Sequence, residues 1–106
     1  MNEAPNLSYI DKLSKGDTLF VKTLLGIIKK ELSGEIAGYQ FHLENKDFNK
    51  TAGHVHKLSH KIRILGLEKG YKIAENYRKD LLERNLKLKL DFEGILTSML
   101  LFIKKV

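Results

Sequence analysis

Four histidines are the residues in this chain best suited to chemistry: His42, His54, His56 and His60, the last three within seven positions. An imidazole, with a reference pKa of about 6.5, is a nucleophile near neutral pH and can take a phosphoryl group on a ring nitrogen. The product is an anion. Lys57, Lys61 and Arg63 beside the histidines supply cations for charge-assisted hydrogen bonds to it. His56 and His60, four apart, also have the spacing that chelates Zn²⁺ or a similar ion. That site wants further ligands: His54 is off the face, His42 and Glu44 belong to another segment, and no His-Glu-x-x-His arrangement is present. There is no Gly-x-x-x-x-Gly-Lys-Ser/Thr loop and no paired-carboxylate motif, so no machinery for nucleotide hydrolysis is visible.

These residues have to be held by helices. Along the helix expected from Asp47 to Leu65, at about 100° per residue, Val55, Leu58, Ile62 and Leu65 fall within roughly 80° and form a core stripe. On the same wheel His56 points about 140° from the stripe's centre, with His60 and Arg63 further along its side. His54 falls near Lys57 and Lys61 on a different sector. His56 is therefore expected to be exposed on a rigid helix. From spacing alone, the same residues also fit a solvated basic face with no function.

Upstream, a short helix is expected over Leu7 to Leu13, ended by Ser14-Lys15-Gly16, with Asp17 as N-cap of the next. There Phe20, Leu24, Ile27, Ile28 and Leu32 make an apolar stripe, which Ser33-Gly34 kinks or breaks. A segment from Glu35 to Asn45 puts Ile36, Tyr39 and Leu43 on one face. Asp47 caps the histidine helix, and Gly66 closes it at its C-terminus. Glu68 to Arg84 carries Tyr71, Ala74, Tyr77 and Leu81 at helical spacing. Asn85 to Leu90 alternates apolar and basic residues, but a lone strand has no partner, so it reads as a linker. Asp91 then caps a last helix with Phe92, Ile95, Leu96, Met99 and Ile103 facing inward. The tyrosines Tyr39, Tyr71 and Tyr77 read as core or interface residues, and Gly26 and Gly38 as possible points of close helix approach. The fold class is all-α: an antiparallel four-helix bundle with a short N-terminal helix and an additional C-terminal helix.

With 106 residues, 42% of them hydrophobic and 30% charged, the chain fits one domain spanning 1–106. It has no cysteine, which excludes disulfides and thiolate metal sites. The start, Met1 to Asn6, lacks a basic stretch followed by an apolar one, so no signal peptide is read. The longest apolar run, Met99 to Ile103, is far short of the roughly 20 residues of a membrane span. A cytoplasmic location and no membrane partner are expected. The net charge of +6 invites an acidic partner. The cations are scattered among acids, without an aromatic-basic motif or zinc-finger spacing, so they read first as a solvated, mildly basic surface and next as a match for an acidic protein face, ahead of nucleic acid.

The stretch His56-Lys57-Leu58-Ser59-His60-Lys61-Ile62-Arg63-Ile64-Leu65-Gly66-Leu67 resembles the signature of histidine-containing phosphotransfer (HPt) domains. That signature is His-x-Leu-Lys-Gly, followed after an apolar spacer by Gly and a small or apolar residue. His56, Leu58, Gly66 and Leu67 match in register. Leu7 to Asp17 leading into Phe20 to Leu25, and Asn45 to Phe48, are similar to the family's earlier segments. Residues 7 to 84 are covered. Ser59 and His60 stand where the family usually has Lys and Gly. The first change removes a common cation; the second puts a bulky ring where a small residue lets a partner approach.

The resemblance implies a phosphorelay intermediate that accepts a phosphoryl group on His56 from a receiver-domain aspartyl-phosphate and passes it to another receiver. It implies a phosphocarrier without kinase or ATPase activity. Lys57, Ser59, His60, Lys61 and Arg63 would stabilise the phosphoryl group or dock the partner, and Gly66 would be structural. The partners would be response-regulator receiver domains or a hybrid histidine kinase. This chain would bind no cofactor, Mg²⁺ being held by the receiver, and a monomer is expected rather than a dimer. The alternatives are an HPt-like receiver-docking module without transfer, which Ser59 and His60 favour, and a histidine-based metal-binding bundle.

Overall fold

The computed structural model describes residues 3–106, in which there are five α-helices and no strand. They are α1 (Ser8–Ser14), α2 (Thr18–Glu44), α3 (Phe48–Ile64), α4 (Glu68–Leu82) and α5 (Lys89–Ile103). Helix α3 packs most extensively on α4 and next on α2; α5 lies against both α4 and α2, and α1 against α2.

The expected caps at Asp17 and Asp47 are made by their carboxylates, which accept from the amides of Phe20 and Lys50, each at 3.1 Å. They satisfy donors that a helix start leaves open. Two boundaries depart from the sequence reading. Asp91 is not the cap of the last helix: α5 begins at Lys89 behind Leu88, so Lys89 and Leu90 are helical. Asp91 instead sits in the first turn, where a carboxylate suits the helix dipole.

The second departure is larger. Ser33 and Gly34 do not break the chain, and α2 is one helix of 27 residues, about 40 Å at 1.5 Å per residue. Its length sets the 43 Å long axis of the molecule. Once α2 is continuous, its buried stripe is Leu25, Ile28, Leu32, Ile36 and Tyr39. Phe20 and Ile27, expected inside, are exposed. The phase of the helix is set by Ile36 and Tyr39, which have to meet the core, and this turns the N-terminal half slightly away. The expected six helical segments thus become five, and the C-terminal helix is one of four long ones.

The core joins that stripe to Val55, Leu58 and Ile62 of α3, Ala74, Tyr77 and Leu81 of α4, and Phe92, Ile95, Leu96 and Met99 of α5. Three aromatic rings knit α2, α4 and α5 together: Phe92 lies 5.2 Å from Tyr39 and 5.1 Å from Tyr77 between ring centroids. The two buried hydroxyls are satisfied in series. Tyr39 donates to Glu93 Oε2 at 2.8 Å and, having one proton, accepts from Tyr77 at 2.8 Å. Burial, together with its hydrogen bonds to Tyr77 and Glu93, pushes the Tyr39 phenol far above its usual value, so it stays a donor.

At the end of α3, Gly66 takes φ +81°. Its amide bonds Arg63 O at 3.0 Å and that of Leu67 bonds Ile62 O at 3.1 Å, the paired closure that favours glycine. The N-terminal segment crosses this turn, with the Asn6 amide on Leu65 O at 2.8 Å. A Cβ at Gly66 would lie 2.5 Å from the Asn6 side chain. Glu3 then reaches the start of α4, accepting from the amides of Lys69 and Gly70 at 2.9 Å each. Elsewhere side-chain-bearing residues take the left-handed conformation at helix ends: Lys15, followed by Gly16 at φ +89°, Lys46 and Arg84.

Tyr39→Phe leaves the Tyr77 hydroxyl and Glu93 without their buried partner, and is expected to lower unfolding free energy by about 1–3 kcal/mol. Tyr77→Phe, which spares the bond to Glu93, is expected to cost less. Urea denaturation of the two variants beside the wild type checks the order.

Candidate functional site

His56 lies in the middle of α3 with its side chain 53% exposed, on the side of the helix that faces α4. Its Nδ1 is 3.8 Å from Glu75 Oε1, too long for a formed hydrogen bond but within a small ring movement of one. That oxygen is buried and has no hydrogen-bond partner. The other Glu75 oxygen accepts from Arg78 Nη2 at 3.3 Å. The imidazole thus turns Nδ1, not Nε2, toward the carboxylate. His60, one turn on, is exposed and meets His56 edge to face, ring centroids 4.8 Å apart. An open cleft between α3 and α4 flanks His56, lined by Asn49, Ala52, Gly53, Arg78 and Leu82.

The five residues expected to assist His56 are not gathered around it. Lys61 turns the other way, toward α2. Its ammonium is buried and donates to Glu35 at 2.8 Å and Glu31 at 3.1 Å. Burial alone would lower its pKa, but the two carboxylates outweigh this and hold it above its usual value. Committed to those partners, it is no cation for His56. Ser59 is fully buried, and its hydroxyl donates to the carbonyl of His56 itself. Both residues flank the apolar stripe at about 80° from its centre, the margin that neighbouring helices cover. Arg63 is exposed but stacks over the Tyr71 ring at 5.2 Å. It stands about 10 Å along the helix axis from His56, seven residues on. Lys57 is exposed beside Gly34, Glu35 and His54 in a cleft toward α2. Of the five, only His60 is in contact with the His56 ring.

Glu75 and Arg78 are the neighbours that sequence reasoning missed. They belong to α4 and lie beside its buried positions Ala74 and Tyr77. The available signal was two charged residues on the margin of an apolar stripe, half-buried rather than exposed.

His54 and His42 form a separate pair on the α2 side. Their rings stack at 5.0 Å and 17°, and His54 packs so closely on Gly38 that a Cβ there would be 2.6 Å from the ring. Gly38 does mark a close helix approach. Among the described residues no three His, Asp or Glu side chains are grouped to hold a metal ion; His56 and His60 make at most a two-ligand pair.

Comparison with protein-family models, curated proteins and solved structures finds no match. Function therefore has to be read from the site's own chemistry.

The His54 environment has a measurable consequence. Burial, then His42 and Lys57, lower its pKa below the usual 6.5, with Glu35 acting weakly against them. The unfolded chain then binds the proton more readily than the folded one, so the contribution is complete above about pH 6.5 and is lost as pH falls. Stability by urea midpoint is expected to decline from pH 7.5 to 5, and His54→Gln to flatten that slope. In a parallel test, Lys61→Ala strands the half-buried Glu35 and is expected to cost about 1–3 kcal/mol, whereas Lys57→Ala stays within about 0.5 kcal/mol.

Proposed function

We propose that this chain is a phosphorelay carrier of the HPt kind, in which His56 accepts a phosphoryl group from a receiver aspartyl-phosphate and passes it to another receiver. The observation that carries this reading is the placement of His56. It is exposed mid-helix, with Nδ1 rather than Nε2 toward Glu75. A carboxylate at Nδ1 favours the tautomer with its proton there, which puts the nucleophilic lone pair on Nε2. The rigid helix holds that lone pair at a fixed angle, so the reactants meet already oriented.

In this reading the four long helices form an antiparallel bundle, supported by the sequence of packed pairs from α2 through α5 and back to α2. The short α1 lies against α2. The partners are receiver domains or a hybrid histidine kinase, whose acidic, Mg²⁺-holding pocket suits a carrier of charge +6. The chain acts as a cytoplasmic carrier without kinase or ATPase activity of its own. His60 favours a second reading, a module that docks receivers without transfer, because its ring stands against His56 where a partner would approach.

The test is to mix the protein with phosphorylated receiver domains from its own genome and follow transfer by intact mass. Expected is an acid-labile, alkali-stable adduct that is lost in His56→Gln and kept in His60→Gln. Glu75→Gln is expected to slow labelling by about tenfold to a hundredfold, the cost of losing ring orientation. Receivers that bind without labelling establish the docking module instead. Absence of both binding and labelling removes the phosphorelay reading.

A further inference from the structure

We propose that Arg78 is the cation that takes up the phosphoryl charge at His56, and that it does so by exchanging its contact with Glu75 for the phosphoryl oxygens. This rests on the reading of His56 as the acceptor.

None of the cations expected on its own helix stands against the His56 ring. Lys61 is held by Glu31 and Glu35, Arg63 stacks on Tyr71, and Lys57 opens toward α2. The position where the resemblance leads one to expect lysine is Ser59, which is buried. A cation that shares the cleft with His56 comes from another helix. Arg78 on α4 lines the same cleft as His56.

Arg78 is also under-used. A guanidinium has five N–H donors, yet its one side-chain partner is Glu75, reached by Nη2 at 3.3 Å. Its Nε is buried with no partner at all. An unmade buried donor on a planar fork calls for an explanation, and a tetrahedral oxyanion is the ligand such a fork fits. Glu75 couples this group to the imidazole. One of its oxygens holds Arg78 and the other, itself unpartnered, faces His56 Nδ1.

The charges balance through the transfer. Beforehand the imidazole is neutral, with its proton on Nδ1, and Glu75 and Arg78 neutralise each other. The Nε2 lone pair forms the N–P bond while the P–O bond to the receiver's aspartate breaks, its electron pair leaving with the carboxylate. The ring now bears a positive charge with the proton still on Nδ1, which pairs with Glu75. Arg78, released, pairs with the dianionic phosphoryl group. Return to a second receiver runs the same exchange backwards.

Two measurements test this. In the first, the wild type is phosphorylated by phosphoramidate, and the Arg78 Nε–H signal is followed by ¹⁵N-resolved NMR. It is expected to move on labelling and to stay in place in His56→Gln treated alike. In the second, the receiver that labels the wild type is brought to equilibrium with Arg78→Gln and Arg78→Lys. The phosphorylated fraction relative to the receiver is expected to fall about tenfold or more in Arg78→Gln, the loss of a charge-assisted contact, and to recover partly in Arg78→Lys. An unmoved Nε–H signal on a labelled wild type overturns the role of Arg78 and leaves the carrier reading standing, as does an unchanged equilibrium in Arg78→Gln. Both fall together if no receiver labels the wild type. The NMR arm needs no variant of Arg78, so it decides the matter even if Arg78→Gln fails to fold.

Discussion

Helix α3 buries Val55, Leu58 and Ile62 completely, and both margins of that stripe are closed as well. On one side Ser59 turns its hydroxyl back onto its own helix; on the other Lys61 is locked to two carboxylates of α2. With so much of its circumference covered, the helix can neither rotate nor slide without exposing apolar surface or stranding a charge. The strip left to solvent toward α4 carries His56 and His60. Every property of the site follows from that constraint: which ring is free, which nitrogen faces Glu75, and which cations are out of reach.

The same constraint separates the histidines by role. His54, two residues before His56, is rotated toward α2, where its ring stacks on His42 and presses on Gly38. It is a packing residue whose proton affinity is lowered as a consequence. His56 faces α4 and keeps its access to solvent. A helical step of two residues, about 200°, is enough to make one imidazole part of the wall and leave the other open to solvent.

What was legible in the sequence was local. The 3.6-residue period placed the α3 stripe, the exposure of His56 and the caps at Asp17 and Asp47, because each depends on residues within a few positions. The phase of α2 is not local: Ser33-Gly34 has the composition of a helix end, and the N-terminal half is oriented by the Ile36 and Tyr39 contacts beyond it. Lys61 looked like a free cation because a residue 80° off a stripe is exposed on an isolated helix and buried in a packed one. Glu75 and Arg78 were invisible for a stricter reason. They approach His56 through the pairing of α3 with α4, and no local period reports which residues two helices bring face to face.

The residues that end three of the helices have a different kind of consequence. Lys15, Lys46 and Arg84 adopt the left-handed conformation that glycine accepts freely, at a cost of roughly 1 kcal/mol each for a side chain with a Cβ. Lys46 and Arg84 share the rim of one cleft at the N-terminal end of α3, whose first residue, Phe48, is eight before His56. The chain is thus held below the stability its core would permit, and the shortfall sits in loops rather than in the packed helices. Such a protein has headroom: its scaffold can be made more robust at those turns while the exposed face of α3 is left alone, so that endurance and the surface it presents are separable traits here rather than rivals.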